Sequence, residues 1–224
     1  MSTRVRNRQK REIRTLGGKE DEMRFLFATG NQGKLREVNA ILGELGIEVV
    51  SMKDAGYDVP IDETGTTFAE NSLIKARTVC KASGEVTMAD DSGLVIDALG
   101  GEPGIYSARY MGENTSYHIK NNNLIERLEG VPDEKRTARF VCAIACVFPD
   151  GRELLSEETF EGRIGYEEKG ANGFGYDPIF FVPEKGCYSA ELAPEEKNAI
   201  SHRGKALRAM REKIRTELEM ESVI

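Results

Sequence analysis

The segment Asp90-Asp91-Ser92-Gly93 carries the residues of this chain that are best suited to chemistry. Two adjacent carboxylates follow a short apolar run, where they are costly unless they bind a cation or exchange protons. Asp62, Glu63 and Glu70 add upstream carboxylates, and oxygen ligands of this kind are those that Mg²⁺ prefers. The pattern indicates a magnesium site. Equally open is a structural role, in which Asp90 caps a turn and Glu70 is an exposed or hydrogen-bonded helix residue.

A second candidate is the turn Thr29-Gly30-Asn31-Gln32-Gly33-Lys34, which joins an apolar run to a helical pattern. Two glycines and a lysine at a helix N-terminus can hold phosphate through main-chain N–H groups and positive charge. The turn is not a Walker A sequence, because Leu35 stands where that motif needs Ser or Thr, and it lacks the dinucleotide-binding glycine spacing. An ordinary turn with a solvated lysine is an equally good interpretation.

A third candidate is the loop Gly173-Phe174-Gly175-Tyr176-Asp177-Pro178, whose two aromatic rings could stack on a base. Aromatic residues more often fill cores, and the recognition role is only slightly favoured. Farther along, Lys197 and Ser201-His202-Arg203 concentrate hydrogen-bond donors near the last helical pattern. Charge on a helix is usually a solvated face, but His beside Arg could bind the carbonyl oxygens of a base.

Ser92, His202 and an aspartate would also be the parts of a serine hydrolase. The G-x-S-x-G sequence of such enzymes is absent, and two histidines leave little choice of base. Ser92 is therefore better interpreted as a hydroxyl donor to a phosphate or sugar.

The elements that must position these residues follow from hydrophobic periodicity. Strands are expected at 24–28, 47–51, 86–89, 94–99, 138–148, 153–164 and 179–182. Helices are expected at 35–45, 68–82, 116–128 and from Pro194 onward, the last with a possible break near Gly204. The paired carboxylates would then lie in a turn between strands 86–89 and 94–99. Early alternation of strands and helices, followed by clustered strands, predicts one α/β unit with a mixed sheet flanked by helices.

Charge and composition limit the possible partners. The net charge is -7, yet residues 1–20 hold seven basic and two acidic side chains, so the remaining residues carry -12. A body this acidic argues against nucleic acid as a partner. The basic opening could be a nucleic-acid arm or a targeting peptide, but a disordered extension or an upstream start codon is the favoured interpretation. No membrane span or secretory signal is apparent, and a cytoplasmic location is expected.

Four cysteines, Cys80, Cys142, Cys146 and Cys187, have neither the pairing nor the histidine spacing of a zinc site. They are expected to be reduced thiols. Cys142 and Cys146 lie an even number of residues apart in one apolar run, which predicts that both are buried on the same face of a strand.

The motifs, taken in order, closely resemble those of the inosine/xanthosine triphosphate pyrophosphatase family. The resemblance spans residues 24 to about 215, and it is carried by these segments: Ala28–Lys34, Glu63–Gly65, Phe68, Glu70-Asn71, Lys75-Ala76, Ala89–Gly93, Gly104–Arg109, Gly173–Pro178 and Ile200–Arg203. Each motif is modest alone, but the ordered set is highly specific. It implies an elongated mixed sheet with two lobes and a central cleft in residues 23–218, after a basic extension (1–22) and before a tail (219–224).

The resemblance also implies an activity and roles for individual residues. Members hydrolyse the bond between the α- and β-phosphates of nonstandard purine triphosphates such as ITP, dITP and XTP, use Mg²⁺, and are usually homodimers. Asp91 would be general base and metal ligand, with Glu63 favoured over Asp62 as the second metal carboxylate. The substrate would be bound by Thr29, Gly30, Asn31, Gln32, Gly33, Lys34, Lys75, Ser92, Phe174, Gly175, Tyr176, Asp177, Lys197, His202 and Arg203. A relative preferring another nucleotide, or a nucleotide sensor without turnover, remains an alternative.

Overall fold

The structure, a computed structural model, describes residues 23–221. The predicted basic extension, 1–22, and the last residues of the predicted tail, 222–224, lie outside the described residues. The strands are β1 Met23–Phe27, β2 Ile47–Ser51, β3 Thr87–Ile96, β4 Thr137–Val147, β5 Glu153–Ile164, β6 Phe180–Val182 and β7 Cys187–Tyr188. The α-helices are α1 Gln32–Leu42, α2 Phe68–Ser83, α3 Tyr117–Arg127, α4 Pro194–Ile200 and α5 His202–Glu221.

All these strands belong to one mixed sheet in the order β2-β1-β3-β4-β5-β6-β7. Strand β1 pairs in parallel with β2 and with β3, whereas every pair from β3 to β7 is antiparallel. The parallel part comes from the early alternation of strand and helix, and the antiparallel part from the later run of strands. The predicted α/β fold with a mixed sheet and flanking helices is confirmed.

Strand β3 corrects the expectation that the paired carboxylates lie in a turn. Residues 87–96 form one continuous strand, and each of its ten residues pairs with β4. The Asp, Ser and Gly residues favour a turn locally, but the pairing with the apolar strand β4 overrides that preference. Because side chains alternate along a strand, Asp90 and Asp91 point to opposite faces of the sheet.

The last two helices meet at a sharp break. Helix α4 begins with Pro194 at its first turn, and Ser201 leaves the helical conformation with φ -68° and ψ 154°. The predicted break therefore falls three residues before Gly204. Gly204 allows α5 to pack against α4, because a Cβ there would lie 2.0 Å from the carbonyl oxygen of Asn198. The break sets His202 and Arg203 at the start of α5.

The hydrophobic core includes two large clusters, at different points along β3 and β4. One cluster joins Met88 and Cys146 to helices α1 and α5. The other joins Leu94 and Phe140 to α3 and to β5 and β6. Asp90, Asp91 and Ser92 lie between them along β3. The limits of the predicted domain stay a prediction.

Two smaller observations complete the fold. Cys142 and Cys146 are both fully buried in the first cluster, as their spacing predicted, and no cysteine of residues 23–221 forms a disulfide. Within the same residues, no helix combines the length and the apolar character needed to cross a bilayer.

Candidate active site

Asp91 lies on the face of the sheet that helix α2 covers. Lys75 and Asn71, one turn apart on α2, both donate to its carboxylate, with Lys75 Nζ 2.9 Å from Oδ1 and Asn71 Nδ2 3.4 Å from Oδ2. Burial raises the pKa of Asp91 above its usual value, and the charge of Lys75 offsets only part of that effect. Asp91 therefore takes up a proton more readily than an exposed aspartate does.

Lys75 also bridges Asp91 to the acidic loop before α2. Its ammonium lies 3.1 Å from Glu63 Oε1, and Arg109 lies 3.6 Å from Glu63 Oε2. Burial alone would lower the pKa of Lys75, but the surrounding carboxylates, Asp91 first among them, raise it above its usual value. One positive charge thus already lies between two carboxylates. Asp62, in contrast, is exposed, and its main-chain carbonyl accepts from the Thr64 N–H.

Glu70 has the structural role that was left open for it. Its carboxylate accepts from the Thr66 N–H at 2.6 Å and from the Thr66 hydroxyl at 2.8 Å. Thr67 accepts in turn from the Glu70 N–H at 3.1 Å. This reciprocal arrangement caps the N-terminus of α2 and uses the carboxylate that could otherwise have bound a metal.

Asp90 lies on the opposite face, toward α1 and α5. Its carboxylate is 3% exposed, and Lys34 Nζ lies 2.7 Å from Oδ2 while Arg203 Nε lies 3.6 Å from the same oxygen. Burial opposes ionisation, but Lys34 and Arg203 prevail and hold the pKa of Asp90 well below its usual range. Asp90 is therefore an ionised anchor for two cations. Its proposed alternative role, capping a turn, is wrong.

The turn between β1 and α1 is shaped by Asn31. Its side-chain oxygen accepts from the N–H groups of Gly33 and Lys34, at 2.8 and 3.2 Å. Thr29 Oγ1 accepts from the Asn31 N–H at 3.1 Å, and Gln32 Nε2 lies 3.5 Å from Asp54 Oδ2. The helix N-terminus is thus capped by the protein itself. Gly30 is exposed, and a Cβ there would meet no atom within 4 Å, so the turn is open at that point.

Ser92 does not have the surroundings of a hydrolase nucleophile. Its hydroxyl donates to Asp90 Oδ2 at 3.2 Å. Its proposed base, His202, is buried, and His202 Nδ1 has no hydrogen-bond partner within residues 23–221, so no acidic residue orients the imidazole from that side. The three parts of a catalytic triad are not assembled.

His202 and Arg203 form a buried pair of hydrogen-bonding side chains at the start of α5. The His202 ring stacks on Phe140 with centroids 5.0 Å apart and an angle of 13°. Burial, and then the charges of Arg203 and Lys197, lower the pKa of His202 well below 6.5, so the imidazole is neutral. The Nε atom of Arg203, like His202 Nδ1, is buried without a hydrogen bond in the described part of the chain. Buried polar atoms without a hydrogen bond are rare in proteins, so both atoms need a partner from outside the described residues.

The Phe174 loop separates its two aromatic rings. Phe174 is 57% exposed, with Lys197 Nζ 5.2 Å and Arg203 Cζ 5.7 Å from its ring centroid. Tyr176 is buried, and its hydroxyl donates to the Ser107 carbonyl at 2.6 Å. Tyr176 is therefore a core residue whose ring is not open for stacking, contrary to the expectation of two stacking aromatics. Only Phe174, of the two, offers its ring to a ligand.

Asp177 organises this loop from within. It is 2% exposed and accepts from the Phe174 N–H at 2.8 Å, from Ser189 Oγ at 2.9 Å and from Lys197 Nζ at 2.5 Å. Gly173 and Gly175 have positive φ angles of 74° and 70°, which favour glycine. Gly173 is also required by its surroundings, because a Cβ there would lie 2.3 Å from the Asp177 carboxylate.

Sequence reasoning missed several residues that hold the site. Asn71 is fully buried on α2, where its Oδ1 accepts from the Gly65 N–H at 2.9 Å, and so ties the acidic loop to Asp91. The available signal was its place in the Glu70-Asn71 motif of the family resemblance, for which no role was assigned to Asn71. Glu37, which binds Arg203 at 3.2 Å, and Phe140, under His202, had no signal, because both depend on contacts between distant segments.

The fold and the site together define a class: an α/β protein with buried carboxylate–cation pairs on both faces of one central strand and an exposed aromatic ring beside them. The comparisons with known proteins are more specific. Residues 25–213 match the model of the Ham1 family. The chain belongs to the Ham1 family.

Curated relatives match a similar share of the chain. A dITP/XTP pyrophosphatase of Exiguobacterium sibiricum is 47% identical over 188 residues, which are 84% of this chain and 95% of that protein. A dITP/XTP pyrophosphatase of Bacillus licheniformis is 49% identical over 185 residues, 83% of this chain and 94% of that protein. Among solved structures, the Ham1 protein of Staphylococcus aureus has a TM-score of 0.81 and 39% identity, covering 87% of this chain and 99% of that one.

Proposed function

We propose that this protein is a nucleoside triphosphate pyrophosphohydrolase that converts ITP, dITP and XTP to the monophosphate and pyrophosphate. One observation carries the proposal: buried Asp91, with its raised pKa, shares the Lys75 ammonium with Glu63. Membership of a family whose curated relatives are named dITP/XTP pyrophosphatases supports the substrate class.

Mg²⁺ is the proposed cofactor, held by Glu63 and Asp91. The fit rests on the Lys75 ammonium, a cation that already lies 3.1 and 2.9 Å from these two carboxylates. Mg²⁺ usually keeps several water ligands and binds through one or two carboxylates together with substrate phosphates, so two carboxylates are enough for such a site. Asp62 stays the less favoured alternative. When bound, the ion would neutralise phosphate charge and acidify water.

The protein's own groups would perform the proton and charge transfers. Asp91 would accept a proton from the attacking water while the water oxygen bonds to the α-phosphorus. The bond between the α-phosphorus and the oxygen that bridges it to the β-phosphate would then break, and pyrophosphate would leave with that oxygen. Lys34 and Lys75 would offset the negative charge that develops on the phosphates. Ser92 and residues 29–33 would contact the phosphates or the sugar.

Binding of the base is proposed for the surface around Phe174. A purine stacked on this exposed ring would lie near Arg203 and its neighbour His202. His202 Nδ1 makes no hydrogen bond within residues 23–221, and Arg203 Nε has only the 3.6 Å ion pair with Asp90. Donors that bind the 6-oxygen of hypoxanthine or xanthine would reject the 6-amino group of adenine, and such mismatches cost about 10⁴-fold in specificity. The buried side chains of Asp177 and Tyr176 would hold the loop in position. The nucleotide would contact these residues through their main chain or through Gly175.

Two alternatives are separated from this proposal by assay. A Ham1 protein with another nucleotide preference would release pyrophosphate fastest from GTP or a pyrimidine triphosphate. A nucleotide sensor would bind without release. Homodimeric assembly, a cytoplasmic location and the absence of nucleic-acid and membrane partners stay expectations drawn from the sequence.

The direct experiment measures pyrophosphate released from ITP by the full chain, with and without Mg²⁺. We expect equimolar inosine monophosphate and pyrophosphate with Mg²⁺, and loss of nearly all turnover after chelation with EDTA. Release of orthophosphate with the diphosphate, or turnover unaffected by EDTA, would contradict the proposal.

A further inference from the structure

One face of helix α3 contacts the Phe174 loop, although α3 supplies none of the residues assigned to the site above. Tyr117 and Asn121 are one turn apart on this helix and both contact the loop. The Tyr117 ring packs edge-on against the Tyr176 ring, with centroids 5.2 Å apart and an angle of 89°. Asn121 is 1% exposed and hydrogen-bonds to the main chain of Gly175. Helix α3 therefore borders the loop with one aromatic and one polar side chain.

The amide group of Asn121 meets two acceptors. Its Nδ2 donates to Glu168 Oε1 at 2.6 Å and to the Gly175 carbonyl at 3.2 Å, which uses both of its hydrogens. Its Oδ1 is buried and has no hydrogen bond within residues 23–221. Turning the amide over would not help, because an oxygen would then face a carboxylate and a carbonyl. The position thus requires a donor, even though one buried oxygen is left unpaired as a result.

The Gly175 carbonyl lies where the loop needs support. Gly173 and Gly175 have positive φ angles of 74° and 70°, and glycine has the widest choice of backbone conformations. Phe174 lies between them and is 57% exposed, so burial contributes little to fixing its ring. The Phe174 N–H is held by Asp177 at 2.8 Å, and the carbonyl of the next residue is held by Asn121. The main chain is thus fixed on each side of the exposed ring.

We propose that Asn121 is a positioning residue, whose amide fixes the Gly175 carbonyl and with it the conformation in which the Phe174 loop binds a nucleotide. The effect on turnover rests on the proposed function, whereas the effect on the loop does not. Asn121 acts through Gly175 and would not touch the substrate. Its loss should weaken nucleotide binding and leave Asp91 and the phosphate-binding lysines unchanged, because these lie on β3, α1 and α2.

The first test measures the loop directly, by hydrogen–deuterium exchange in peptides that cover residues 173–178. Asn121→Asp keeps the size of the side chain but replaces the donor by an acceptor that faces a carbonyl and a carboxylate. We expect exchange in these peptides to become about tenfold faster or more, the size of one buried hydrogen bond lost. Peptides from β4 should exchange as in the wild type.

Asn122→Asp is the matched control for this substitution. Asn122 is the next residue of α3, is partly exposed and donates to the His118 carbonyl at 3.0 Å, away from the loop. Exchange in residues 173–178 should therefore be the same in Asn122→Asp and the wild type. Unchanged exchange in Asn121→Asp would overturn the inference.

The second test separates positioning from a general loss of structure. For pyrophosphate release from ITP, Asn121→Asp should raise KM about tenfold or more and leave kcat within about twofold of the wild type. The inhibition constant of pyrophosphate should not change, since the phosphate-binding residues are untouched. A decrease in kcat together with weaker binding of both ITP and pyrophosphate would show a structural role only, and the inference would fail.

A second variant covers the case in which the new charge beside Glu168 prevents folding. Asn121→Asp with Glu168→Gln removes that repulsion, because the new amide can donate to the new carboxylate, but Gly175 still lacks its donor. Fast exchange of the loop and a raised KM must therefore persist, and wild-type values would show that Asn121 acts through Glu168 alone. Absence of pyrophosphate release by the wild type would instead refute the proposed function, and the exchange measurements would then decide the role of Asn121 by themselves.

Discussion

Strand β3 presents one carboxylate to each face of the sheet, and the two environments differ. Asp90 faces α1 and α5, where Lys34 and Arg203 both contact it and its pKa is held well below its usual range. Asp91 faces α2, where it shares Lys75 with Glu63 and its pKa is raised. The two adjacent aspartates thus have pKa values shifted in opposite directions.

The difference teaches how neighbouring aspartates can have separate roles. The negative charge of Asp90 is balanced by Lys34 and Arg203 and fixes the positions of these two side chains. The charge therefore contributes to the stability of the folded protein. Asp91 is only partly compensated, and its raised pKa suits a group that accepts a proton during turnover. Single substitutions on each face of β3 test this division.

The first prediction concerns Asp91→Asn. An asparagine keeps the shape and can still bond to Lys75 and Asn71, but it cannot accept the proton of a water. We expect kcat for ITP to fall by about 10²–10⁴-fold, the usual contribution of a general base, with little change in the denaturation midpoint. Rapid-quench turnover measures kcat, and urea denaturation followed by circular dichroism measures the midpoint. Turnover like that of the wild type would remove Asp91 from its role.

Asp90→Asn should have the reverse pattern. Loss of this charge leaves Lys34 and Arg203 without their buried partner, and breaking such a pair typically costs about 3–5 kcal/mol of unfolding free energy. Urea denaturation followed by circular dichroism measures this. Equal unfolding free energies for Asp90→Asn and Asp91→Asn would show that the two carboxylate charges contribute equally to stability, which contradicts the difference between the two faces.

Ser92→Ala should have a smaller effect than either. The hydroxyl donates to Asp90 at 3.2 Å, and removing one neutral donor to a carboxylate costs about 1.5–3 kcal/mol at most. Pyrophosphate release should persist at a reduced rate, and neither the variant nor the wild type should hydrolyse p-nitrophenyl esters. Esterase activity in the wild type that disappears in Ser92→Ala would instead indicate a serine hydrolase.

The smallest expected effect is on the pH dependence of stability, through His202 at the start of α5. Burial, with the charges of Arg203 and Lys197, keeps the pKa of His202 well below 6.5. Above pH 6.5 the folded and unfolded chains both hold a neutral imidazole there, so His202 contributes no pH dependence. Below pH 6.5 the unfolded chain binds a proton that the folded chain does not, and stability falls by up to about 1.4 kcal/mol per pH unit from this group.

His202→Gln should therefore lessen the decrease in Tm between pH 6.5 and pH 5. Thermal unfolding followed by circular dichroism at pH 6.5 and pH 5 measures this decrease in both proteins. An equal slope in His202→Gln and the wild type would show that His202 is not held neutral.

Much of the fold was predictable because it depends on local periodicity. The bounds of β2 and β5 match the expected strands, and α2 differs from the expected helix by a single residue at its end. Strand β3 was not predictable, because its Asp, Ser and Gly residues favour turns and only pairing with β4 makes the strand continuous.

The residue types of the site could be predicted from the sequence, but their positions relative to one another could not. The carboxylates, the lysines and the Phe174 loop were all identified, but their division between two faces of β3 depends on tertiary structure. Tyr176 and Phe174 have the same glycine-rich surroundings in sequence, yet one is buried and the other exposed. Local sequence cannot separate them, since burial is decided by α3 and the second core cluster.

The most direct test of the whole account is the set of specificity constants for pyrophosphate release by the wild type with ITP, XTP, dITP, GTP and dUTP in the presence of Mg²⁺. We expect values for ITP, XTP and dITP that exceed those for GTP and dUTP by at least about 10²-fold. A value for GTP equal to that for ITP would contradict the proposed base site, and no pyrophosphate from any of them would contradict the proposed activity.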